Sequence, residues 1–123
     1  MVICDSVITD EVTHKKSLIG IFNSLFAKEF PVHHPMLSIY VTVTDGRGKM
    51  PCLLRMIYLE DDKELFCLKG QIEMTDPMAT AELVYTVTRV LFEKPGSYAI
   101  EFLIDNVLIG TKTIKVTSNQ NNV

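Results

Sequence analysis

The residues predict an all-β chain folded as a two-layer antiparallel sandwich of about seven to nine strands. Three observations carry that prediction. Apolar and polar residues alternate with a period of two along most of the chain, which puts one face of each segment in a core and the other in water. Turn-forming residues recur at intervals of roughly 8–12 residues, the spacing of short strands in a sandwich. Helical periodicity is nearly absent.

Val2 to Thr9 reads as a first strand and Asp10 to Lys16 as a polar turn. Ser17 to Phe22 reads as a second strand, in which Gly20 marks a bulge or a close contact. Asn23 to Phe30 is the one ambiguous stretch. Leu25, Phe26, Lys28 and Glu29 suit one short helix near 23–29, and Pro31 and Pro35 forbid a longer one.

Met36 to Thr44 alternates most cleanly. Leu37, Ile39, Val41 and Val43 face one way, and Ser38, Tyr40, Thr42 and Thr44 the other. Asp45-Gly46-Arg47-Gly48 then reads as a hairpin turn. Pro51 to Glu60 is apolar on both faces, as expected of a central strand, with Arg55 reaching an edge or a partner carboxylate. Glu60 to Lys63 is an acidic turn. Glu64 to Gly70 is a short strand, and Ile72 to Met74 a fragment before Asp76-Pro77. Thr80 to Thr88 alternates again, and Val90 to Phe92 leads into the turn Glu93-Lys94-Pro95-Gly96. Ser97 to Ile104 sets Tyr98, Ile100, Phe102 and Ile104 on one face. Asp105-Asn106 suits a two-residue type I′ turn, because both residue types tolerate positive φ. Val107 to Val116 returns antiparallel. One domain over 1–116 followed by a flexible polar tail over 117–123 accounts for the whole chain.

The segment Pro95-Gly96-Ser97-Tyr98, with its following hairpin, resembles the last hairpin of immunoglobulin-like domains. In those domains a Tyr at the start of the penultimate strand packs at a corner and hydrogen-bonds backwards. The resemblance implies an immunoglobulin-like sandwich with Tyr98 at that corner. The chain has no Trp and lacks the inter-sheet cysteine pair of antibody domains, so the likeness is one of architecture. A longer resemblance runs through Cys4-Asp5-Ser6-Val7, Ser17-Leu18-Ile19-Gly20-Ile21-Phe22, Val43-Thr44-Asp45-Gly46-Arg47-Gly48 and Phe92-Glu93-Lys94-Pro95-Gly96-Ser97-Tyr98. These segments are similar to an uncharacterised bacterial family known only as a domain of unknown function. That resemblance implies a stand-alone bacterial β-sandwich and carries over no active site.

The 123 residues include 12 basic and 15 acidic side chains, for a net charge of −3. That balance gives no electrostatic reason to bind nucleic acid or an anionic membrane. No 18-residue apolar run and no secretory signal pattern occurs, and the three cysteines, an odd number, suit the reducing cytoplasm.

Chemistry-bearing motifs are sparse. His33 and His34 lie between Pro31 and Pro35, a setting that reads as a loop, and no CxxC or HxxxH spacing accompanies them. Cys4, Cys52 and Cys67 sit among apolar neighbours, where a thiol acts as a small hydrophobe. Asp45, Asp76 and Asp105 fall in turns and could approach one another at one end of a sandwich, whereas Asp45 and Asp61 belong to opposite ends. Arg47 sits in a GxG segment that no helix follows, so a phosphate cradle is not expected. No catalytic residue, cofactor or metal is therefore assigned. His33, His34, Asp45, Arg47, Asp76 and Asp105 are the positions to watch for a ligand or contact. The expectation is a non-enzymatic protein-interaction or assembly module, pairing with a protein partner or with itself through an edge strand. The alternatives are a small-ligand or calcium module built on the Asp-bearing loops, and an enzyme with a loop-built site around His33 or His34.

Overall fold

The computed structural model describes residues 1–76 and 78–118. Nine strands follow in order: β1 (Val2–Thr9), β2 (Lys16–Ile21), β3 (Ser24–Ala27), β4 (Val32–Thr44), β5 (Gly48–Tyr58), β6 (Lys63–Met74), β7 (Thr80–Phe92), β8 (Gly96–Ile104) and β9 (Val107–Ser118). They form a four-stranded sheet, β2-β1-β4-β7, and a five-stranded sheet, β3-β9-β8-β5-β6. With β4, β5, β7, β8 and β9 taken as strands B, C, E, F and G, B pairs with E, C with F and F with G. Those are the neighbours that the immunoglobulin arrangement prescribes. The chain has no D strand among the described residues, and it adds the β1–β2 hairpin.

The alternation read from the sequence fills the space between the sheets. Leu37, Ile39, Val41 and Val43 of β4 face Leu54 and Met56 of β5, Ile100 and Phe102 of β8, and Ile114 and Val116 of β9. Each such side chain contributes roughly 1.5–3 kcal/mol by leaving water. Arg55 donates from Nε to Glu101 Oε1 at 2.8 Å across the outer face of the five-stranded sheet, so the expected carboxylate partner is present.

Several expectations need correction. The segment near 23–29 holds no helix. Ser24–Ala27 is a strand, paired in parallel with Lys115–Ser118 of β9, so the sandwich is not wholly antiparallel. The same pairing draws Thr117 and Ser118 into β9, past the predicted boundary at 116; residues 119–123 lie outside the described residues. Asp45-Gly46-Arg47-Gly48 is not a hairpin. β4 and β5 belong to different sheets, and the turn carries the chain from one layer to the other. β4 begins at Val32, so His33 and His34 lie in a strand and not in a loop. Among the described residues β1 pairs with β4 only at Ser38–Tyr40 and Val32–Met36 is bordered by β7 alone, and a proline is tolerated where one side of a strand is open.

One hairpin conforms closely. Asp105 and Asn106 have φ of 52° and 64°, the two positive values of a type I′ turn.

Candidate functional site

The turns gather at two ends. Gly48 pairs with Met74, and the Asp105 amide donates to the Pro51 carbonyl at 3.0 Å. Asp45, Arg47, Asp76 and Asp105 therefore share one end, all exposed. Sharing an end does not make them a site. Among the described residues no group of three or more His, Cys, Asp or Glu is placed to hold a metal. Asp76 is instead engaged locally, its Oδ1 accepting from the Met78 amide at 2.9 Å. His33 and His34 lie toward the other end, opposite Leu91 and Val90 of β7. His33 is exposed. His34 is half-buried, with its ring 5.9 Å from that of Phe22 and its Nε2 buried without a hydrogen-bond partner. The groove of about 280 Å³ beside them is lined mainly by Leu25, Phe26, Val32, Phe92 and Val116, and no carboxylate enters it.

The other end is packed by aromatic rings. Tyr98 donates to the Lys94 carbonyl at 2.5 Å, the backward bond expected of a corner tyrosine. Tyr58 donates to the Pro95 carbonyl at 2.8 Å, and its ring lies 4.7 Å from that of Tyr98. Burial, helped by the Glu60 carboxylate, pushes the Tyr58 hydroxyl up to about 12. Gly96 adopts φ of +145°, and a Cβ there would sit 2.7 Å from the Tyr58 ring. The small hollow between these groups, about 110 Å³, is bordered by the Lys63–Glu93 ion pair.

The remaining feature is the flank. Among the described residues the sheets end on β2, β7, β3 and β6, and each of these strands leaves one side unpaired. β2 and β3 are short, with six and four residues. β6 has twelve residues, but its register with β5 shifts between Met56 and Ile57, leaving Leu65 unopposed. It also carries Lys63, Glu64, Lys69 and Glu73. Bulges and charges are the devices that keep free edges from pairing. β7 has no bulge over Thr80–Thr88 and only one charge there, Glu82. Its register with β4 does not shift, and that stretch contains no Pro, Gly, Lys or Arg. Glu82, Val84, Thr86 and Thr88 point outward, exposed; Ala81, Leu83, Tyr85 and Val87 point inward yet are only half-buried. Arg89, at φ of 53°, ends the regular run.

Tyr85 shows how this flank is filled. Its hydroxyl lies 3.7 Å from the Cys52 thiol of β5, opposite Gly70 of β6, and burial followed by the thiol pushes its ionisation well up. Further along, Leu65 and Phe66 of β6 and Val87, Thr88 and Arg89 of β7 line an open groove of about 340 Å³. On the outer face Glu82 accepts from the Tyr40 hydroxyl, and Ser38 and Thr86 share a hydroxyl–hydroxyl bond of 3.3 Å.

The sequence reading placed interest on turn aspartates and histidines and missed this edge. The signal was present in the nine residues Thr80–Thr88, which are rich in β-branched and aromatic types and contain a single charge. Nothing local says that such a strand lies at the margin of its sheet.

A family model described as a family of unknown function (DUF6941) matches residues 1–117. The chain belongs to that family. No curated protein matches it. No helix among the described residues is long and apolar enough to cross a membrane.

Proposed function

We propose that the protein is a non-enzymatic interaction module that docks another polypeptide by adding a strand to the open edge of β7. The observation that supports this reading is the undefended run Thr80–Thr88, thirteen-residue β7 being the longest of the marginal strands. Strand addition takes its affinity from main-chain hydrogen bonds and its specificity from alternate side chains. β7 offers both, with unpaired amides and carbonyls along one side and Val84 and Thr86 standing outward. A bacterial, cytoplasmic setting fits the three free thiols and the likeness described for the sequence.

The test uses a double variant, Val84→Lys with Thr86→Lys, which puts onto β7 the charges that guard edges elsewhere. The immobilised wild-type chain is expected to retain a partner polypeptide, its own copy or another. Amide exchange over 80–88 is expected to slow when the partner is bound, and the variant is expected to lose both effects. Equal retention by both chains, or retention without slower exchange at 80–88, defeats the proposal.

A further inference from the structure

We infer that the strand received by β7 is β7 of a second copy of this chain, antiparallel to the first and related to it by a two-fold axis normal to the four-stranded sheet. The inference rests on the edge reading above and names its partner.

Charge is the first argument. Between Thr80 and Arg89 only two residues are charged, Glu82 near the start and Arg89 at the end, and they are opposite in sign. An antiparallel copy sets the acidic end of each strand against the basic end of the other, twice by symmetry. A parallel copy sets Glu82 against Glu82, and like charges across a ladder destabilise it.

Facing is the second. Side chains directly opposed across an antiparallel ladder share a face, so the axis must pass through one residue and not between two. Centred on Tyr85, it sets Val84 opposite the partner's Thr86 and Leu83 opposite the partner's Val87. It also sets Glu82 opposite the partner's Thr88 and next to the partner's Arg89. Each pair is matched in kind, apolar or β-branched within, polar at the ends.

The third argument is the flank itself. Leu83, Tyr85 and Val87, with Leu65 and Phe66 of the other layer, are half-buried in a single copy. A two-fold interface is isologous, so the same set arrives from the partner and closes over its own image. The result is one continuous eight-stranded sheet, β2-β1-β4-β7 followed by its mirror order.

Sedimentation equilibrium of the full chain tests this. Wild type is expected at twice the chain mass. Glu82→Arg alone and Arg89→Glu alone each weaken association at least about tenfold, and the double swap returns to within about threefold of wild type. As a second measurement independent of those charges, an equimolar mixture of Val84→Cys and Thr86→Cys chains is oxidised. The mixed disulfide dimer is expected to be well over double either like-with-like dimer, double being the ratio that random pairing gives. A wild-type chain that stays monomeric, a double swap as weak as the singles, or a mixture with no mixed dimer beyond that random ratio overturns the self-pairing. Should the chain be monomeric and yet gain exchange protection at 80–88 from some other polypeptide, the edge reading stands and only its self-directed form falls. Absence of both removes both.

Discussion

β7 is two regions in one strand. Its last residues, Val90 and Phe92, run into a corner where Tyr98 and Tyr58 cap the Lys94 and Pro95 carbonyls and three rings pack together. Its first nine residues have one ladder, no bulge and an open side. The corner uses its aromatic hydroxyls to satisfy turn carbonyls; the edge leaves main-chain groups facing water. The contrast separates two uses of β-structure. One part is closed and sets stability; the other is open and is free to be completed by another chain. Changes at the corner should unfold the protein without touching association, and changes at the edge should do the reverse.

The largest effect is expected at Gly96→Ala. A Cβ there meets the Tyr58 ring at 2.7 Å and its hydroxyl at 2.9 Å, and φ of +145° is foreign to L-residues. Strain and overpacking together should cost roughly 2–4 kcal/mol in urea unfolding, with association per folded chain unchanged. A loss below about 0.5 kcal/mol would mean that the corner yields easily and the contrast is overstated.

Tyr98→Phe comes next. It removes the bond to the Lys94 carbonyl and keeps the ring between Phe92 and Tyr58. A loss of about 1–3 kcal/mol is expected, because the carbonyl is left unpaired at a packed corner. A neutral result would assign the corner to ring packing alone.

Alkaline pH offers a milder probe of the same region. The Tyr58 hydroxyl is raised to about 12, so the folded state holds the neutral phenol against ionisation. A raised folded value contributes stability that is complete below the ordinary tyrosine range near 10 and is lost as pH climbs toward about 12. Tyr40, Tyr85 and Tyr98 are shifted in the same direction, Tyr40 chiefly by its bond to Glu82 and the other two chiefly by burial. Ultraviolet titration should show little tyrosinate at pH 10 in the folded chain and a rise that coincides with unfolding. Ionisation near pH 10 with the fold intact would contradict this.

The smallest stability effect is expected at the edge. Thr86→Lys lies on the exposed outer face and gives up only the long hydroxyl contact with Ser38, so unfolding should move by about 0.5 kcal/mol or less. A change beyond about 2 kcal/mol would show that this face is a structural element of the monomer and would blur the contrast.

Much of the corner was legible. The sequence Pro95-Gly96-Ser97-Tyr98, the alternation after it and the Asp105-Asn106 turn are local signals, and local geometry obeys them. The strand Met36–Thr44 was equally plain, since its partners on both faces match its period. β3 was not legible. Leu25 and Phe26 fit a helical turn as well as a strand, and the choice is made by β9, which lies far along the chain and binds Ser24–Ala27 in parallel. The histidines misled for a related reason: two prolines suggest a loop, but a strand open on one side accepts Pro35. The layer change at Asp45–Gly48 has the composition of any tight turn. The edge character of β7 is a property of sheet order, which no stretch of nine residues encodes. That Asp45, Asp76 and Asp105 could lie at one end follows from counting turns, but whether they converge on one point depends on how far each turn projects, which no local pattern encodes.

The hydroxyl of Tyr85 reaching Cys52 has a practical corollary. The chain has no Trp and only four tyrosines, of which Tyr58 and Tyr98 are sealed in the corner and Tyr40 is tied to Glu82 on the outer face. Intrinsic emission from this protein is therefore phenolic and undiluted by indole. The one emitter standing at the open margin would register dehydration there optically, without a label, as concentration is raised.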